Sequence, residues 1–447
     1  MSVLKNRLQT IRSERNSIIE RVAKEDIRPS ASENEIVQRI ARDVAERFRD
    51  EIAASGINAE LKQRIIEVIS DESAQVDVDY EQQKRIERIA IAYVVGLGPI
   101  EAYQEDPTVS EIIVQRFDNI CIEVGGVIHS VDAAFTDEAH LQTVINRIVQ
   151  PVGRQINISS PMVNARLPDG SRVNATIPPI SPDGATLTIR KFPEKALTGE
   201  DYLKLNSISA SMLQFLEHCV KGRISIMVSG GTGAGKTTAL NVLSSFVPKE
   251  ELIITIEDTC ELRLQQPNVR RMEARATSGE GMMAVDTQAL VKNSLRMRPD
   301  RIIVGEIRDG TIVDMMSAMS TGHEGSLSTV HANNPTNLVN SRIPILYSMN
   351  NSVQFSPESQ NMQIAEALML IVHIARMRDG SRKFTHITHV VGLGEDGKIQ
   401  LSDIFAYNES KKQFEATGYV PDSIITHAKA HGVNIDPSLF KKEPQND

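Results

Sequence analysis

A glycine-rich segment in the middle of the chain ends in a lysine and two threonines. An apolar run, Ile224 to Ser229, precedes it, and a helical pattern, Ala239 to Phe246, follows it. In such a setting backbone N–H groups converge on phosphate oxygens, Lys236 reaches the β and γ phosphates, and the Thr237 hydroxyl can ligate Mg²⁺. The alternative is a turn that binds nothing. The pattern predicts an ATP site built from these residues: Gly230, Gly231, Thr232, Gly233, Ala234, Gly235, Lys236, Thr237 and Thr238.

Two further strand-like runs end in carboxylates. Glu257 follows the run Leu252 to Ile256, and Glu306 follows the run Ile302 to Gly305. Hydrolysis of a nucleoside triphosphate needs one carboxylate that holds Mg²⁺ through water and one that activates the attacking water. Each carboxylate alone would more commonly be a helix cap or an ion-pair partner. Beside the phosphate loop, the set predicts Glu257 as the general base and Glu306, with Thr237, as the Mg²⁺ residues.

Two histidines, His323 and His331, lie eight residues apart around a strand-like run. Their functional interpretation is that the imidazoles sense the γ phosphate, and histidines satisfied within the core are an equally weighted alternative. The pair His323-Glu324 lacks the second histidine of an H-E-x-x-H zinc helix, and no cysteine pair lies near it. Zinc is therefore not predicted.

A hairpin pattern sets arginines opposite each other. Residues 163–176 read as two strands around the loop Pro168-Asp169-Gly170, a register in which Arg166 faces Arg172. Like charges directly opposite each other are unfavourable unless an anion or a carboxylate lies between them. A solvated edge hairpin and a surface that reads a phosphate both remain open, and Arg190 adds positive charge nearby.

The elements that position these residues divide the chain into four parts. Apolar stripes at helical spacing predict a bundle over residues 1–79, with one helix in the first 22 residues and a second opened by a Ser32/Glu35 capping box. Residues 80–192 read as an α+β domain and residues 193–209 as a linker. Residues 210–447 alternate β-rich and helical runs, which predicts an α/β domain with a parallel sheet.

The composition narrows the function. Lys and Arg number 49 against 58 Asp and Glu, which leaves a net charge of -9, and there is no Trp. This charge and the 4% aromatic content disfavour nucleic-acid binding, so none is expected as a partner. Three widely separated cysteines indicate a reducing compartment, and uncharged apolar runs stop near nine residues, short of a membrane span. We expect a cytoplasmic protein that reaches a membrane only through partners.

The order of these motifs resembles the secretion and pilus traffic ATPases of the type II/IV secretion superfamily. Within it the chain resembles the CpaF-type ATPases of Tad or Flp pilus assembly. The matching segments are residues 96–100 (GLGPI), 110–113 (SEII), 165–173 (ARLPDGSRV), 188–192 (TIRKF), 229–238 (SGGTGAGKTT), 255–258 (TIED), 295–306 (LRMRPDRIIVGE) and 321–333 (TGHEGSLSTVHAN).

The resemblance implies a RecA-like P-loop NTPase domain, a preceding α+β domain that closes over ATP, and a homohexamer that engages an inner-membrane platform protein. It assigns Glu257 and Asp258 to the Asp box of the family, Glu306 to Walker B, and His323 and His331 to its His box. Two departures are visible. The residues after Arg308 are not the glycine and small residue of the family pattern, and the cysteine-ligated zinc of related general-secretion ATPases has no counterpart.

In such a ring each interface is head to tail, so Arg172, supported by Arg166 and Arg190, is expected to act on a nucleotide held by the neighbouring subunit. Three functional classes remain. A pilus or secretion motor is the main interpretation, and a type IV secretion or conjugation ATPase is the alternative that shares every nucleotide motif. A small-molecule P-loop kinase would share only the loop.

Overall fold

The protein is described from a computed structural model that covers residues 30–48, 50–51, 58–192, 197–275, 284–350 and 354–442. The helix predicted for the first 22 residues lies outside the described residues. The chain divides into two compact units, Met1–Glu194 and Lys195–Asp447. Each unit has hydrophobic clusters of its own.

The first unit opens with three helices, α1 (Ala31–Arg47), α2 (Ala59–Ala74) and α3 (Tyr80–Val95). Their predicted apolar stripes meet in one core, where Ile40, Val44 and Ile65 are fully buried. The capping box at the start of α1 is formed by Ser30 and Glu33, two residues before the predicted pair. The prediction from Ser32 was wrong because the Ser-x-Ser-x-x pattern offers two possible caps and local spacing does not choose between them.

The rest of the first unit is an antiparallel sheet with two described helices, α4 (Glu101–Glu105) and α5 (Glu138–Val149). The strand order is β3-β2-β1-β6-β5-β4. The strands are β1 (Val109–Arg116), β2 (Asn119–Val124), β3 (Val127–Val131), β4 (Met162–Arg166), β5 (Arg172–Thr176) and β6 (Thr186–Arg190). The helix α5 buries Leu141, Val144 and Ile145 in the core of this sheet. This arrangement is the predicted α+β fold.

The second unit is built on a mixed sheet in the order β15-β14-β13-β12-β7-β11-β10-β8-β9. The six strands from β12 to β9 are parallel, and β13 to β15 extend the sheet as antiparallel hairpins. The strands are β7 (Ile226–Gly230), β8 (Ile253–Glu257), β9 (Val269–Glu273), β10 (Arg301–Ile307), β11 (Leu327–His331), β12 (Leu370–Arg376), β13 (Arg382–Leu393), β14 (Ile399–Asn408) and β15 (Gln413–Ala416).

Helices cover this sheet. They are α6 (Gly199–Lys204), α7 (Ala210–Lys221), α8 (Lys236–Ser245), α9 (Thr287–Ser294), α10 (Thr311–Ser320), α11 (Pro335–Asn337), α12 (Ile343–Ser348), α13 (Pro357–Ala367) and α14 (Asp422–Ala430). The short helix α6 lies in the segment predicted as a linker, and its Tyr202 is buried in the core of the second unit. The predicted α/β fold with parallel central strands is confirmed, and the antiparallel extension is additional.

Candidate active site

The glycine-rich segment forms the connection between β7 and α8. Gly233 and Gly235 have φ angles of 70° and 96°, a left-handed conformation that favours glycine. A Cβ built on Gly231 or Gly233 would meet no atom of the described residues within 4 Å, so open space lies above this part of the backbone. The N-terminus of α8 begins at Lys236, directly after the loop. The loop is therefore an open cradle of the kind that fits a chain of phosphates.

Lys236 lies between the loop and the carboxylate of Glu306. Its Nζ donates a hydrogen bond to the carbonyl oxygen of Gly231 at 3.2 Å and lies 4.0 Å from Oε1 of Glu306. Burial lowers the pKa of Lys236, while the nearby Glu306 raises it. The ammonium group is thus held at the open cradle, and among the described residues Glu306 supplies the one close carboxylate, an arrangement that suits a phosphate ligand.

Glu257 and Glu306 lie on the neighbouring parallel strands β8 and β10. The pairing of Ile256 with Val304 sets Glu257 beside Gly305, and a Cβ on Gly305 would come within 2.9 Å of the Glu257 Cγ. The glycine at this position therefore makes room for the glutamate. Glu257 is the last residue of β8 and Glu306 is the last but one of β10, so both lie at the carboxyl ends of strands in the same sheet as the phosphate loop.

Glu257 is 3% exposed, and its two oxygens differ in environment. Oε2 accepts hydrogen bonds from the backbone N–H groups of Glu261 and Leu262, at 2.8 and 3.0 Å. Oε1 is buried and finds no hydrogen-bond partner among the described residues. Burial, partly offset by the two backbone hydrogen bonds, raises the pKa of Glu257 to about 7. A carboxyl group with such a pKa can exchange a proton near neutral pH.

Arg308 joins the two acidic strand ends. Its guanidinium contacts Oε2 of Glu306 at 2.5 Å and lies 3.6 Å from Oδ2 of Asp258. The hydrogen bond to Glu306 raises the pKa of Arg308. Asp258 also accepts a hydrogen bond from the Thr287 hydroxyl at 3.1 Å. The residues that follow Arg308 depart from the family pattern, but Arg308 itself is a direct partner of the carboxylates.

The two predicted histidines are not brought together. His331 ends β11 and lies in register with Gly230, at the edge of the sheet where the phosphate loop begins. His323 precedes β11 at the opposite end of the strand, where its backbone N–H donates to Ala318 and its buried Nδ1 has no partner among the described residues. Only His331 shares the loop's edge of the sheet.

Two residues near the loop are not predicted by the local sequence. His373 on β12 is 5% exposed, and its Nδ1 is 2.8 Å from the Ser229 hydroxyl. Its pKa is lowered to about 4, mainly by burial. Arg382, the first residue of β13, donates from Nε to the carbonyl oxygen of Gly233 at 3.1 Å. Neither residue carries a local motif, because tertiary strand order alone brings them to the loop.

The predicted arginine hairpin belongs to the first unit. Arg166 faces Arg172 in the β4–β5 ladder, which confirms the predicted register. Arg172 in turn faces Arg190 on β6, and Arg190 faces Glu111 on β1. Three arginines thus form a row across adjacent strands that ends at a carboxylate. The Arg172 guanidinium also lies 5.9 Å from the centre of the Phe192 ring.

A phosphate cradle at the end of a parallel strand, with acidic ends on neighbouring strands, defines a P-loop nucleotide-hydrolysing protein. The chain belongs to the family of type II/IV secretion system proteins, which it matches over residues 94–428. It is an ATP-hydrolysing enzyme of this family, a secretion-system traffic ATPase.

Three relatives illustrate the similarity. A putative conjugal transfer protein of Mycobacterium tuberculosis is 30% identical over 324 residues, covering 71% of this chain and 90% of that protein. The conjugal transfer protein TrbB of Rhizobium radiobacter is 31% identical over 64% of this chain and 85% of its own length. The type IV secretion system protein VirB11 of Bartonella quintana is 30% identical over 55% and 78%.

Among solved structures, the VirB11 ATPase of Brucella suis is similar at 26% identity, over 65% of this chain and 91% of that chain, with a TM-score of 0.35. The pilus retraction motor PilT with bound ADP is similar at 22% identity, over 61% of this chain and 77% of that chain, with a TM-score of 0.46.

Within the part of the chain that the structure describes, no helix is long and apolar enough to cross a membrane.

Proposed function

We propose that this ATPase drives transport in a type IV secretion or conjugation apparatus. The observation that carries the enzymatic part is the position of the Lys236 ammonium, which lies at the open phosphate cradle and 4.0 Å from Oε1 of Glu306. The names of the relatives, which are conjugal transfer and type IV secretion proteins, support the transport part. They favour this apparatus over the pilus that the sequence motifs first suggested.

The nucleotide would be held by the loop from Gly230 to Thr238. The backbone N–H groups and Lys236 would bind its phosphates, and the Thr237 hydroxyl and, through water, Glu306 would hold the Mg²⁺ ion. The metal supplies charge neutralisation at the phosphates. The open space above Gly231 and Gly233 and the position of the Lys236 ammonium support this assignment.

Glu257 would orient and deprotonate the attacking water. Its unpaired Oε1 is the free acceptor that such a water requires, and the backbone bonds to Oε2 fix the direction of the carboxylate. A pKa near 7 permits the group to take the proton at neutral pH. Arg308 would pair with both Glu306 and Asp258, so that neither of these carboxylates deprotonates the water.

The remaining site residues would act on the γ phosphate and between subunits. His331, which lies at the loop's edge of the sheet, would act on the γ phosphate. His323 lies at the other end of β11 and would act there. Arg172, supported by Arg166 and Arg190, would reach a nucleotide held by a neighbouring copy in a homohexameric ring. An arginine so supplied neutralises charge that develops in the transition state.

A Tad or Flp pilus motor is the second candidate, favoured by the eight sequence segments shared with the CpaF-type ATPases. In either apparatus the ring would be cytoplasmic, bind no nucleic acid, and contact the inner membrane through platform proteins.

A gene deletion complemented with wild-type or Lys236→Ala protein separates the candidates. DNA or effector transfer that depends on Lys236 while surface pili persist supports the secretion proposal. Lost pili with intact transfer would replace it by the pilus motor.

The enzymatic proposal has its own test. Purified protein should hydrolyse ATP in the presence of Mg²⁺, at a rate that added DNA leaves unchanged, and its mass under nucleotide should be that of six chains. Hydrolysis without Mg²⁺, strong stimulation by DNA, or activity in a strictly monomeric protein would each contradict a part of the proposal.

A further inference from the structure

A second cluster of ligand-type side chains lies away from the phosphate loop. It consists of Glu324, in the turn before β11, and of His427 and His431, on and directly after α14. The potential ligand atoms of the three side chains all lie within 4.8 Å of one another. Two residues four positions apart on a helix project from the same face, so α14 presents both imidazoles towards one point.

Both imidazoles leave their Nε2 atoms available. Nδ1 of His431 is 3.0 Å from the backbone carbonyl of His427 and donates to it, so Nε2 of His431 keeps its lone pair. Nε2 of His427 is buried and has no hydrogen-bond partner among the described residues. Metal-binding histidines commonly donate their second ring nitrogen to a carbonyl in this way.

The charges of the cluster also suit a cation. Oε2 of Glu324 lies 3.9 Å from Nε2 of His431, too far for a hydrogen bond and close enough for one ion to bridge them. The two rings are 4.6 Å apart between centroids, so protonating both would bring like charges together.

We propose that Glu324, His427 and His431 form a binding site for a divalent transition-metal ion, with zinc as the best-matched ion. Two imidazoles and one carboxylate with an open fourth position are a donor set that zinc accepts, whereas Mg²⁺ prefers oxygen ligands throughout. The site differs from the Mg²⁺ position proposed above, because Gly325 contacts Arg301 and Ser225 at the amino ends of β10 and β7. A bound ion would tie the turn that contains His323 to α14.

Sequence motifs could not reveal this site. The second and third ligands lie about a hundred residues after Glu324, and only the helical spacing of His427 and His431 gives a local signal. The segment around His323 therefore contains no zinc pattern of its own, although the fold brings the three ligands together.

The test is metal binding to the full-length chain without a histidine tag, stripped of metal and free of nucleotide. Co²⁺ is the probe, because its absorption reports tetrahedral nitrogen and oxygen ligation, and Zn²⁺ should displace it with one ion per chain. His431→Ala and Glu324→Gln should each weaken Co²⁺ affinity by about tenfold or more, as lost metal partners do. His129→Ala, which removes a histidine of the first unit, should leave the affinity unchanged.

Circular dichroism and the unfolding midpoint without metal check that the variants are folded, and the exposed position of His431 makes its variant the safest of the set. Zn²⁺ should raise the unfolding midpoint of the wild type and not that of His431→Ala. Absence of saturable Co²⁺ binding, or equal affinity in the wild type and the folded variants, would overturn the proposal. Displacement of Co²⁺ by millimolar Mg²⁺ as readily as by Zn²⁺ would also overturn it.

Discussion

Arg382 donates a hydrogen bond from its Nε to the carbonyl oxygen of Gly233, although 149 residues separate the two in the chain. The Arg382 Cδ also lies where a Cβ on Gly235 would approach it to 3.2 Å. The hairpin between β12 and β13 therefore contacts the phosphate loop directly. A Cβ on Gly233 would meet no described atom within 4 Å, so the hydrogen bond from Arg382 reaches an open part of the cradle.

Replacing Arg382 with Ala should weaken ATP binding by about threefold to tenfold, because a charge-assisted hydrogen bond that orders the loop is worth about 1 kcal/mol. The measurement is the dissociation constant of a fluorescent ATP analogue. Arg378→Ala, on the same hairpin and also exposed, is the matched control and should bind normally. Equal affinities of the two variants would show that the Arg382 contact does not organise the loop.

Replacing Lys236 with Ala should reduce ATP turnover by about a hundredfold or more, since a positioned positive group at the phosphates contributes at least that much. The lysine is partly desolvated and its removal relieves that cost, so the unfolding midpoint should not fall appreciably. Steady-state hydrolysis and thermal unfolding are measured together. Lys398→Ala, on a surface hairpin, should retain full turnover, and near wild-type hydrolysis by Lys236→Ala would contradict the loop assignment.

Glu257→Gln should bind ATP with normal affinity and hydrolyse it orders of magnitude more slowly, because an amide cannot accept the proton from water. Binding and single-turnover hydrolysis are measured separately. The exposed Glu250→Gln serves as the control. A variant that loses Mg²⁺-dependent binding would instead assign the metal to Glu257 and the base to Glu306.

The same substitution makes a prediction for stability in the protein without nucleotide. The pKa of Glu257 rises from 4.5 to about 7 on folding, so its contribution is fully present below pH 4.5 and is lost as the pH rises through 7. Glu257→Gln should therefore be more stable than the wild type at pH 8, by about 3 kcal/mol, and equal to it near pH 4.5. Urea unfolding at both pH values checks this, and a difference that does not depend on pH would refute it.

His373 should make the protein sensitive to acid. Its pKa falls from 6.5 to about 4 on folding, so its stabilising contribution is present above pH 6.5 and is lost as the pH falls through 4. Between pH 7 and pH 4 the wild type should lose about 2–3 kcal/mol more than His373→Gln, which cannot be protonated in this range. His129→Gln is the control in urea unfolding, and an equal loss in all three proteins would contradict the prediction.

Local sequence determined the loop and the strands that surround it. The residues from Gly230 to Thr238 and the run ending at Glu257 have patterns that require one conformation, and the structure contains them as predicted. The register of Arg166 with Arg172 followed from the loop length alone, because a hairpin loop fixes the pairing of its strands.

Other parts of the site depend on strand order, which local sequence does not contain. His373 contacts Ser229 because β12 lies beside β7. Arg382 contacts Gly233 because β13 is the next strand beyond β12 in the sheet. The spacing of His323 and His331 suggested a pair, yet His331 is the last residue of β11 and His323 precedes its first residue, Leu327, which lies about 13 Å from His331 along the strand. That geometry separates them to opposite ends of β11.

The row formed by Arg166, Arg172 and Arg190 leads to the prediction about assembly. The three arginines face one another across β4, β5 and β6, and Arg172 occupies the middle position with a neighbour on each side. Such a row favours an anion close by, since like charges on adjacent strands repel. We expect Arg172→Ala to reduce turnover by about a hundredfold or more while nucleotide binding by the isolated chain stays intact.

Mixing of variants tests whether Arg172 acts on a neighbouring subunit. A Lys236→Ala subunit has an inactive loop and intact arginines, whereas an Arg172→Ala subunit has an active loop and lacks the arginine. In a head-to-tail ring the two defects complement each other at every interface where an active loop meets an intact Arg172. Mixed rings should therefore recover part of the ATPase activity that neither variant has alone, with a maximum at an intermediate ratio. Mixtures with Lys398→Ala in place of the arginine variant show how an active subunit is diluted without complementation. No recovery at any ratio, in rings whose mixed composition is verified by mass, would mean that Arg172 serves its own subunit.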